Sequence, residues 1–197
     1  MAGEKYIVAT AENPIQIAVR NILNPCGYTF LGNCSDLISL MRLIRSYHPD
    51  FIIVDMNMQI GELRSVLETV DEELLCACVI IGEYKDLETS NFIGKAKTIF
   101  FCTKPLNKEI LVQIVEMSNL SYKRVYELNK KLREMTDNYE ARKQIERAKW
   151  MLMEHDRLTE SQAYEKLRNK SMNSRMSMKS IAEAIIFTYD IIGKKEQ

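Results

Sequence analysis

The 197-residue sequence lacks the patterns that mark several classes of protein. It has five cysteines without a CxxC pair and only two histidines, which argues against a disulfide framework and against a zinc site. The cysteines sit in or near apolar runs, so we expect small buried thiols. No stretch approaches the ~18 apolar residues of a membrane-spanning helix, and the first residues show no signal-peptide pattern. We therefore expect a cytoplasmic protein without membrane contact.

Charge is distributed unevenly along the chain, although the totals balance at 27 basic and 27 acidic side chains. Residues 1–120 carry 10 Lys and Arg against 15 Asp and Glu, a net charge of −5. Residues 121–197 carry 17 against 12, a net charge of +5. This asymmetry indicates that only the rear part meets a polyanion. The length leaves room for two small domains.

The front part, residues 1–120, alternates short apolar runs with amphipathic segments. This alternation predicts an α/β domain with a doubly wound, parallel, five-stranded sheet covered on both faces. The predicted strands are Lys5–Thr10, Tyr28–Leu31, Phe51–Val54, Cys76–Ile81 and Thr98–Phe101. The predicted helices between them are Asn13–Asn24, Leu37–Ile44, Leu63–Val70 and Asp86–Ile93. Sheets of this kind bind ligands at the carboxyl ends of their strands, which are Glu12, Asp55, Gly82 and Lys104.

Those strand ends resemble the active corner of the response-regulator receiver domain, over about residues 4–120. Asp55 matches the phosphoacceptor, Lys104 with Pro105 matches the family's Lys-Pro pair, and Phe101 lies at the aromatic switch position. The resemblance implies a flavodoxin-like strand order, an input from a sensor histidine kinase or another signalling protein, and Mg²⁺ held by Glu12 and Asp55. A carboxylate nucleophile would attack phosphorus while the cation and Lys104 neutralise the phosphoryl oxygens.

Two departures from the receiver pattern weaken this chemistry. Ala11 stands where receivers have the first of two adjacent acids, and Gly82 stands where they have a Thr or Ser hydroxyl. Losing a carboxylate weakens Mg²⁺ binding, because that ion depends on few hard oxygen ligands. We therefore predict that Asp55 is phosphorylated weakly or not at all; the alternative is an acid that remains at a strand end without this role.

A long helix is predicted after the sheet, since Glu109–Met153 contains neither Pro nor Gly. Over residues 121–140 apolar residues recur at intervals of three and four, which predicts a coiled-coil seam between two copies of the chain. A linker helix that folds back on the receiver-like domain is the competing interpretation. The predicted seam consists of Val125, Leu128, Leu132, Met135 and Tyr139.

The rear part, residues 141–197, predicts a small all-α domain of three helices. The first runs through residues 145–154, the second follows a capping-box pattern from Thr159 to Gln162, and the third begins near Ser177. The predicted core residues are Ile145, Ala148, Leu152, Met153, Ala163, Tyr164, Leu167, Ile181, Ala182, Ile185 and Ile186.

This spaced pattern resembles the ANTAR domain, a family of RNA-binding modules in bacterial transcription antiterminators. The resemblance includes Lys149 and Arg168, whereas Trp150 departs from it, because the family usually has a small residue there. The resemblance implies binding to hairpin RNA in nascent transcripts. Such binding would hold the transcript in a form that cannot fold into the terminator hairpin. Basic side chains around the core would neutralise phosphates and contact unpaired loop bases, although each alone also suits a solvated surface. The candidates are Arg142, Lys143, Arg147, Lys149, Lys166, Arg168, Lys170, Arg175 and Lys179.

The combined prediction is a transcription antiterminator of the response-regulator type, a dimer and not an enzyme. A DNA-binding response regulator is one alternative; it needs a recognition helix, and Leu158–Asn173 lacks a clear turn signature before it. An adaptor whose receiver-like domain docks to a partner protein is the other. Competition between hairpin RNA and duplex DNA distinguishes RNA binding from the DNA-binding alternative. A salt series distinguishes RNA binding from the adaptor, because affinity that depends on phosphate contacts falls steeply with salt.

Overall fold

The computed structural model describes residues 3–58, 60–89 and 92–193. The chain divides into two compact units, Met1–Leu128 and Asn129–Gln197. The predicted linker, residues 121–140, lies within one long helix that begins in the first unit and ends in the second. Among the helices in these described ranges, none is long and apolar enough to span a membrane.

The first unit is a parallel five-stranded sheet with helices on both faces. Its strands are β1 (Lys5–Ala9), β2 (Thr29–Cys34), β3 (Phe51–Asp55), β4 (Ala77–Gly82) and β5 (Ile99–Thr103). Its helices are α1 (Asn13–Leu23), α2 (Leu37–Tyr47), α3 (Ile60–Glu72), α4 (Tyr84–Thr89) and the start of α5 (Lys108–His155). The strand order β2-β1-β3-β4-β5 confirms the predicted doubly wound, flavodoxin-like sheet.

Both faces of the sheet are buried, which explains the unbroken apolar runs. Every residue of β3 and β4 is buried, as expected for central strands of a parallel sheet covered on two sides. On one face Leu40 of α2 and Leu67 of α3 belong to the core, and on the other Val19 of α1 and Leu111 of α5 do. Burial of apolar side chains on both faces is therefore the main force that holds this unit together.

Most predicted boundaries shift by one to four residues, and β2 and the fourth predicted helix are two examples. Strand β2 continues to Cys34 because Gly32, Asn33 and Cys34 pair with β1 after a register shift that skips Leu31, and local propensity does not include such pairing. The predicted helix Asp86–Ile93 is instead α4, which ends at Thr89, and a separate one-turn 3₁₀ helix from Ile93 to Lys95. Residues 90 and 91 of that prediction lie outside the described residues.

The second unit contains the three predicted helices. The first is the C-terminal part of α5, and the others are α6 (Glu160–Ser174) and α7 (Met178–Gly193). The capping box is confirmed: the Gln162 amide donates to the Thr159 hydroxyl, and the Gln162 side chain accepts from the Thr159 backbone. The buried core is formed by Ala148, Met151, Leu152, Ala163, Leu167, Ile181, Ala182, Ile185 and Ile186.

Two predicted core residues face solvent instead. Met153 is 38% exposed and Tyr164 is 45% exposed, so both core predictions are wrong. Met153 follows the buried Leu152, and Tyr164 follows the buried Ala163, so each exposed side chain points about 100° away from its buried neighbour. The buried face of each helix is therefore narrower than predicted. Met151, which the sequence reading omitted, is buried in place of Met153.

The cysteines confirm the expectation of buried thiols with one exception. Cys34, Cys76, Cys78 and Cys102 are buried and unpaired, whereas Cys26 is exposed. Burial raises the pKa of Cys34 and of Cys76 to about 12. The four buried thiols are therefore small core residues.

Candidate functional sites

A buried carboxylate lies at the carboxyl edge of the sheet. Asp55, the last residue of β3, is 1% exposed, and both of its oxygens accept hydrogen bonds. Lys104 Nζ lies 3.0 Å from Oδ1, Thr10 Oγ1 lies 3.0 Å from Oδ2, and the Asn57 amide donates to Oδ1 at 3.2 Å. The negative charge is thus balanced by one ammonium group and two neutral donors.

Parallel topology brings these residues together, because the carboxyl ends of β1, β3 and β5 open at the same edge. Thr10 follows β1, and Lys104 follows β5 with a cis peptide bond to Pro105. The Lys104 backbone N–H donates to the Gly82 carbonyl at 2.8 Å. The structure therefore groups Asp55 with Lys104, as the receiver resemblance implies. It also places Thr10 in the site, a residue that was not predicted from the sequence.

Glu12 lies at the rim of this corner. It is the residue before α1, it is exposed, and its Oε1 accepts a hydrogen bond from the Asn57 side chain at 3.3 Å. In the part of the chain that the structure describes, no three His, Cys, Asp or Glu side chains are grouped closely enough to hold a metal ion. Glu12 and Asp55 provide few protein ligands, so a Mg²⁺ ion held by them would keep most of its coordination from water.

Gly82 and Phe101 have complementary shapes. A Cβ atom at position 82 would lie 2.9 Å from Phe101 Cζ and 3.0 Å from the Cβ of Met56. Both distances are shorter than ordinary van der Waals contacts, so a side chain here would force its neighbours to move. Phe101 is half-buried and packs against the core. The hydroxyl of the receiver pattern is therefore replaced by an aromatic ring that fills part of its space.

One flank of α6 presents an aromatic and two guanidinium groups to solvent. Tyr164 and Arg168, four residues apart, are exposed on the same side of α6, and the exposed Arg175 directly follows the helix. Arg175 ends α6 in the left-handed conformation, with φ 54°. Among the described residues, neither arginine is in an ion pair. The same is true of the exposed Arg142, Lys143 and Lys170, whereas Lys179 is half-buried.

Three other predicted RNA contacts hold helices of the second unit together. Lys149 Nζ lies 2.8 Å from Glu160 and 3.0 Å from Glu146, and only 10% of its side chain is exposed. The hydrogen bonds that Lys149 donates to these two carboxylates raise the pKa of its ammonium group. Lys166 binds Asp156 at 2.6 Å, and Arg147 binds Asp190 at 3.3 Å. These cations are less available to phosphates than Arg168.

A polar cluster joins all three helices of this unit. Asp156, just after α5, accepts from Lys166 of α6 and from the Tyr189 hydroxyl of α7, both at 2.6 Å. Both bonds lower the pKa of Asp156. The His155 ring stacks on Tyr189 with centroids 4.9 Å apart. The cluster stabilises the arrangement of helices from which Arg168 projects.

The predicted seam residues lie along α5. Val125 is half-buried, whereas Leu128, Leu132, Met135 and Tyr139 are exposed. Four large apolar side chains on one exposed helix face are costly to leave in water, so this face fits a partner helix.

The second unit matches a known domain family, and one relative aligns with nearly the whole chain. Residues 133–186 match the ANTAR domain family. The transcriptional regulatory protein PdtaR of Mycobacterium tuberculosis is 21% identical over 184 residues, which cover 93% of this chain and 90% of that protein.

Solved structures share the fold of the first unit. The chemotaxis response regulator CheY4 of Vibrio cholerae superposes with a TM-score of 0.51 at 18% identity, over 59% of this chain and 98% of that one. The signal receiver domain of an HD domain-containing protein from Pseudomonas fluorescens gives a TM-score of 0.56 at 14% identity, over 64% and 94%. At such identities these likenesses show the fold alone. The chain therefore has a receiver fold in its first unit, and its residues 133–186 match the ANTAR domain family.

Proposed function

We propose that this chain is a cytoplasmic transcription antiterminator, a regulator and not an enzyme, that binds hairpin RNA through its ANTAR domain. The observation that carries the proposal is the flank of α6 on which Tyr164, Arg168 and Arg175 face solvent together. Guanidinium groups bind phosphates and the edges of bases, and a tyrosine ring offers a stacking surface for an unpaired base. Hairpin loops present such bases, whereas the deep groove of an A-form helix hides them.

Within this proposal the basic residues divide into two roles. Arg168, Lys170 and Arg175 contact the RNA, and the exposed Arg142 and the half-buried Lys179 add positive potential. Lys149, Lys166 and Arg147 act mainly by positioning the helices, because each is held by an acidic side chain. A DNA-binding function is less well supported, since duplex DNA offers no unpaired base to stack on the exposed Tyr164 ring.

Replacing Arg168 with Ala is expected to weaken binding of a hairpin RNA by about 1–3 kcal/mol, because a base-contacting arginine is lost. The binding constant is measured by fluorescence anisotropy at fixed salt. Arg42→Ala is the matched control, since Arg42 is an exposed arginine on α2 in the other unit, and it should bind like the unchanged protein.

Equal affinity of Arg168→Ala and the unchanged protein, with intact helical circular dichroism, would remove Arg168 from the RNA site. Tighter competition by duplex DNA than by hairpin RNA would support the DNA-binding alternative instead. Binding that does not fall steeply with salt would favour the adaptor, because phosphate contacts release counterions.

The receiver-fold unit provides the input in this proposal, from a histidine kinase or another signalling protein. Asp55 would accept the phosphoryl group, with Lys104 neutralising its charge and Phe101 filling the space beside Gly82. Mg²⁺, when bound by Glu12 and Asp55, would neutralise charge on the phosphoryl group. The missing acid at Ala11 and the missing hydroxyl at Gly82 leave this transfer slow.

We expect slow, incomplete labelling of the protein by a small phosphodonor with Mg²⁺, abolished in Asp55→Asn. The reason is that nucleophile and ammonium group are in contact, but one metal ligand and one hydroxyl donor are missing. Labelling is measured by mass spectrometry over time, and RNA binding is measured in parallel. Fast, stoichiometric labelling, with RNA binding strictly dependent on it, would contradict this expectation. Equal labelling of Asp55→Asn would assign the phosphate to another residue.

A further inference from the structure

A cleft lies in the receiver-fold unit, on the face of the sheet that α2 and α3 cover. Its volume is about 850 Å³, and its walls are α3 on one side and the segment Phe92–Ile99 on the other. Helix α4 has six residues, whereas α3 has thirteen, and this short helix leaves part of the sheet beside β5 uncovered. Small-molecule sites in proteins commonly have volumes of this order.

The floor of the cleft is apolar and partly aromatic. Met56, Leu63 and Ile99 are buried members of the core, and the half-buried Phe92 packs against that core. The apolar part of a bound molecule would leave water on this floor, which is the main source of affinity in such sites. The floor therefore suits a ring or a branched hydrocarbon body.

A buried carboxylate ties the two walls of the cleft together. Asp71 of α3 is 7% exposed, and it accepts hydrogen bonds from the backbone N–H groups of Lys97 at 3.0 Å and Thr98 at 2.7 Å. The Thr98 hydroxyl donates to the same carboxylate at 2.8 Å. These bonds fix the Phe92–Ile99 wall against α3, so the cleft is formed before a molecule binds. A preformed site loses less conformational entropy on binding.

The charges that line the cleft favour an anion. The lining carboxylates Glu68 and Asp86 accept hydrogen bonds within the protein. Among the described residues, neither of the exposed ammonium groups of Lys95 and Lys97 has an ionic partner. Glu72, the last residue of α3, is the remaining acid of the lining, so the unpaired charges are two positive and one negative.

One end of the cleft borders the Asp55 corner. Met56 and Asn57 line this end, and the Asn57 backbone N–H donates to Asp55 Oδ1 at 3.2 Å. The Met56 Cβ also lies 3.0 Å from the position that a Cβ atom at Gly82 would take. A molecule in the cleft would therefore contact the loop that follows the phosphoacceptor residue.

We propose that this cleft binds a small amphipathic anion, with an apolar ring body on the floor and a single carboxylate or sulfonate group near Lys95 and Lys97. Such a molecule is a chemical input to the receiver-fold unit. It goes beyond the proposed input from a kinase or another signalling protein, and its binding does not depend on RNA.

Anilinonaphthalene sulfonate, a fluorescent anion with apolar rings, is a direct probe of the cleft in the full-length protein without RNA. We expect saturable emission as the dye is added. Indole acetate should displace the dye at lower concentration than indole acetamide, because the acetate alone has a negative charge for Lys95 and Lys97. Fluorescence titrations give the three affinities.

Two variants locate the bound dye. Ala96→Trp fills the cleft from its half-buried wall and should weaken binding at least tenfold. Lys95→Gln combined with Lys97→Gln should weaken it about three- to tenfold, since exposed ion pairs contribute modestly. The matched control is Lys130→Gln with Lys131→Gln, the same change of charge at two exposed lysines of the second unit. Circular dichroism verifies that all variants fold.

Each other outcome overturns part of this site. Dye emission unchanged in Ala96→Trp and in the Lys95 and Lys97 variant would place the dye elsewhere, and a lack of saturable emission would exclude the cleft for this class of molecule. Weakening in Ala96→Trp alone, with equal displacement by acetate and amide, would show that the cleft takes neutral apolar molecules. Hairpin binding is measured without dye, so failure of the cleft and failure of the proposed function are separate results.

Discussion

Leu132→Glu is expected to lower the affinity for an RNA with two hairpins by about 100-fold or more while leaving single-hairpin affinity nearly unchanged. If the predicted seam joins two copies of the chain, their two ANTAR domains would bind the second hairpin at a high effective concentration, and such linkage contributes about 10²–10⁴-fold. A glutamate in the predicted seam would place two negative charges against each other across the two-fold axis, so the dimer should dissociate into monomers. Anisotropy titrations with one-hairpin and two-hairpin RNAs of equal length measure the difference, and sedimentation gives the mass.

Leu120→Glu provides the control for this experiment. Leu120 is an exposed leucine on the same helix, 50% accessible, but it points away from the seam. We expect this variant to remain dimeric and to retain the two-hairpin advantage. A two-hairpin advantage that survives in monomeric Leu132→Glu would show that the two RNA sites are not linked through α5.

Lys104→Met is expected to destabilise the receiver-fold unit by about 3–5 kcal/mol, the usual cost of removing one partner from a buried ion pair. The Asp55 carboxylate would lose its ammonium partner and retain the Thr10 hydroxyl and the Asn57 amide as donors. Adding Asp55→Asn to this variant should restore most of the stability, because a neutral amide needs no counter-charge. Urea denaturation, followed by circular dichroism, measures the free energies of unfolding.

The control for the Lys104 variants is Lys108→Met, which removes an exposed lysine at the start of α5 and should change little. If Lys104→Met unfolds at the same urea concentration as the unchanged protein, the ion pair does not contribute to stability. If the double variant stays as unstable as Lys104→Met, the loss comes from packing of the Lys104 side chain and not from the unpaired carboxylate.

The parts of the structure that local patterns govern could be predicted from the sequence. Unbroken apolar runs identified β3 and β4, and the Thr159–Gln162 pair identified the start of α6. The strand order followed from the receiver resemblance and is confirmed. The apolar spacing of the last three helices also matched the ANTAR family over residues 133–186.

The parts that depend on contacts between distant residues could not be predicted. The Thr10 hydroxyl reaches Asp55 across 45 positions, and nothing in the local sequence marks it. The sign of a charge likewise does not reveal its partner: Lys149 fits the ANTAR pattern, yet Glu146 and Glu160 hold it. The sequence shows only that Gly82 lacks the hydroxyl of the receiver pattern. The structure shows that the Phe101 ring fills the space next to Gly82.

The distribution of cysteines makes the chain suitable for site-specific labelling without mutagenesis. A maleimide dye reacts with thiolates, and among the five thiols only Cys26 is exposed. Burial keeps the other four protonated as well as inaccessible, since it raises the pKa of each. A dye on Cys26 therefore reports from the receiver-fold unit alone. A second equivalent of dye can react only when the unit opens and exposes a buried cysteine. The rate of this second reaction therefore reports how often the receiver-fold unit opens under native conditions.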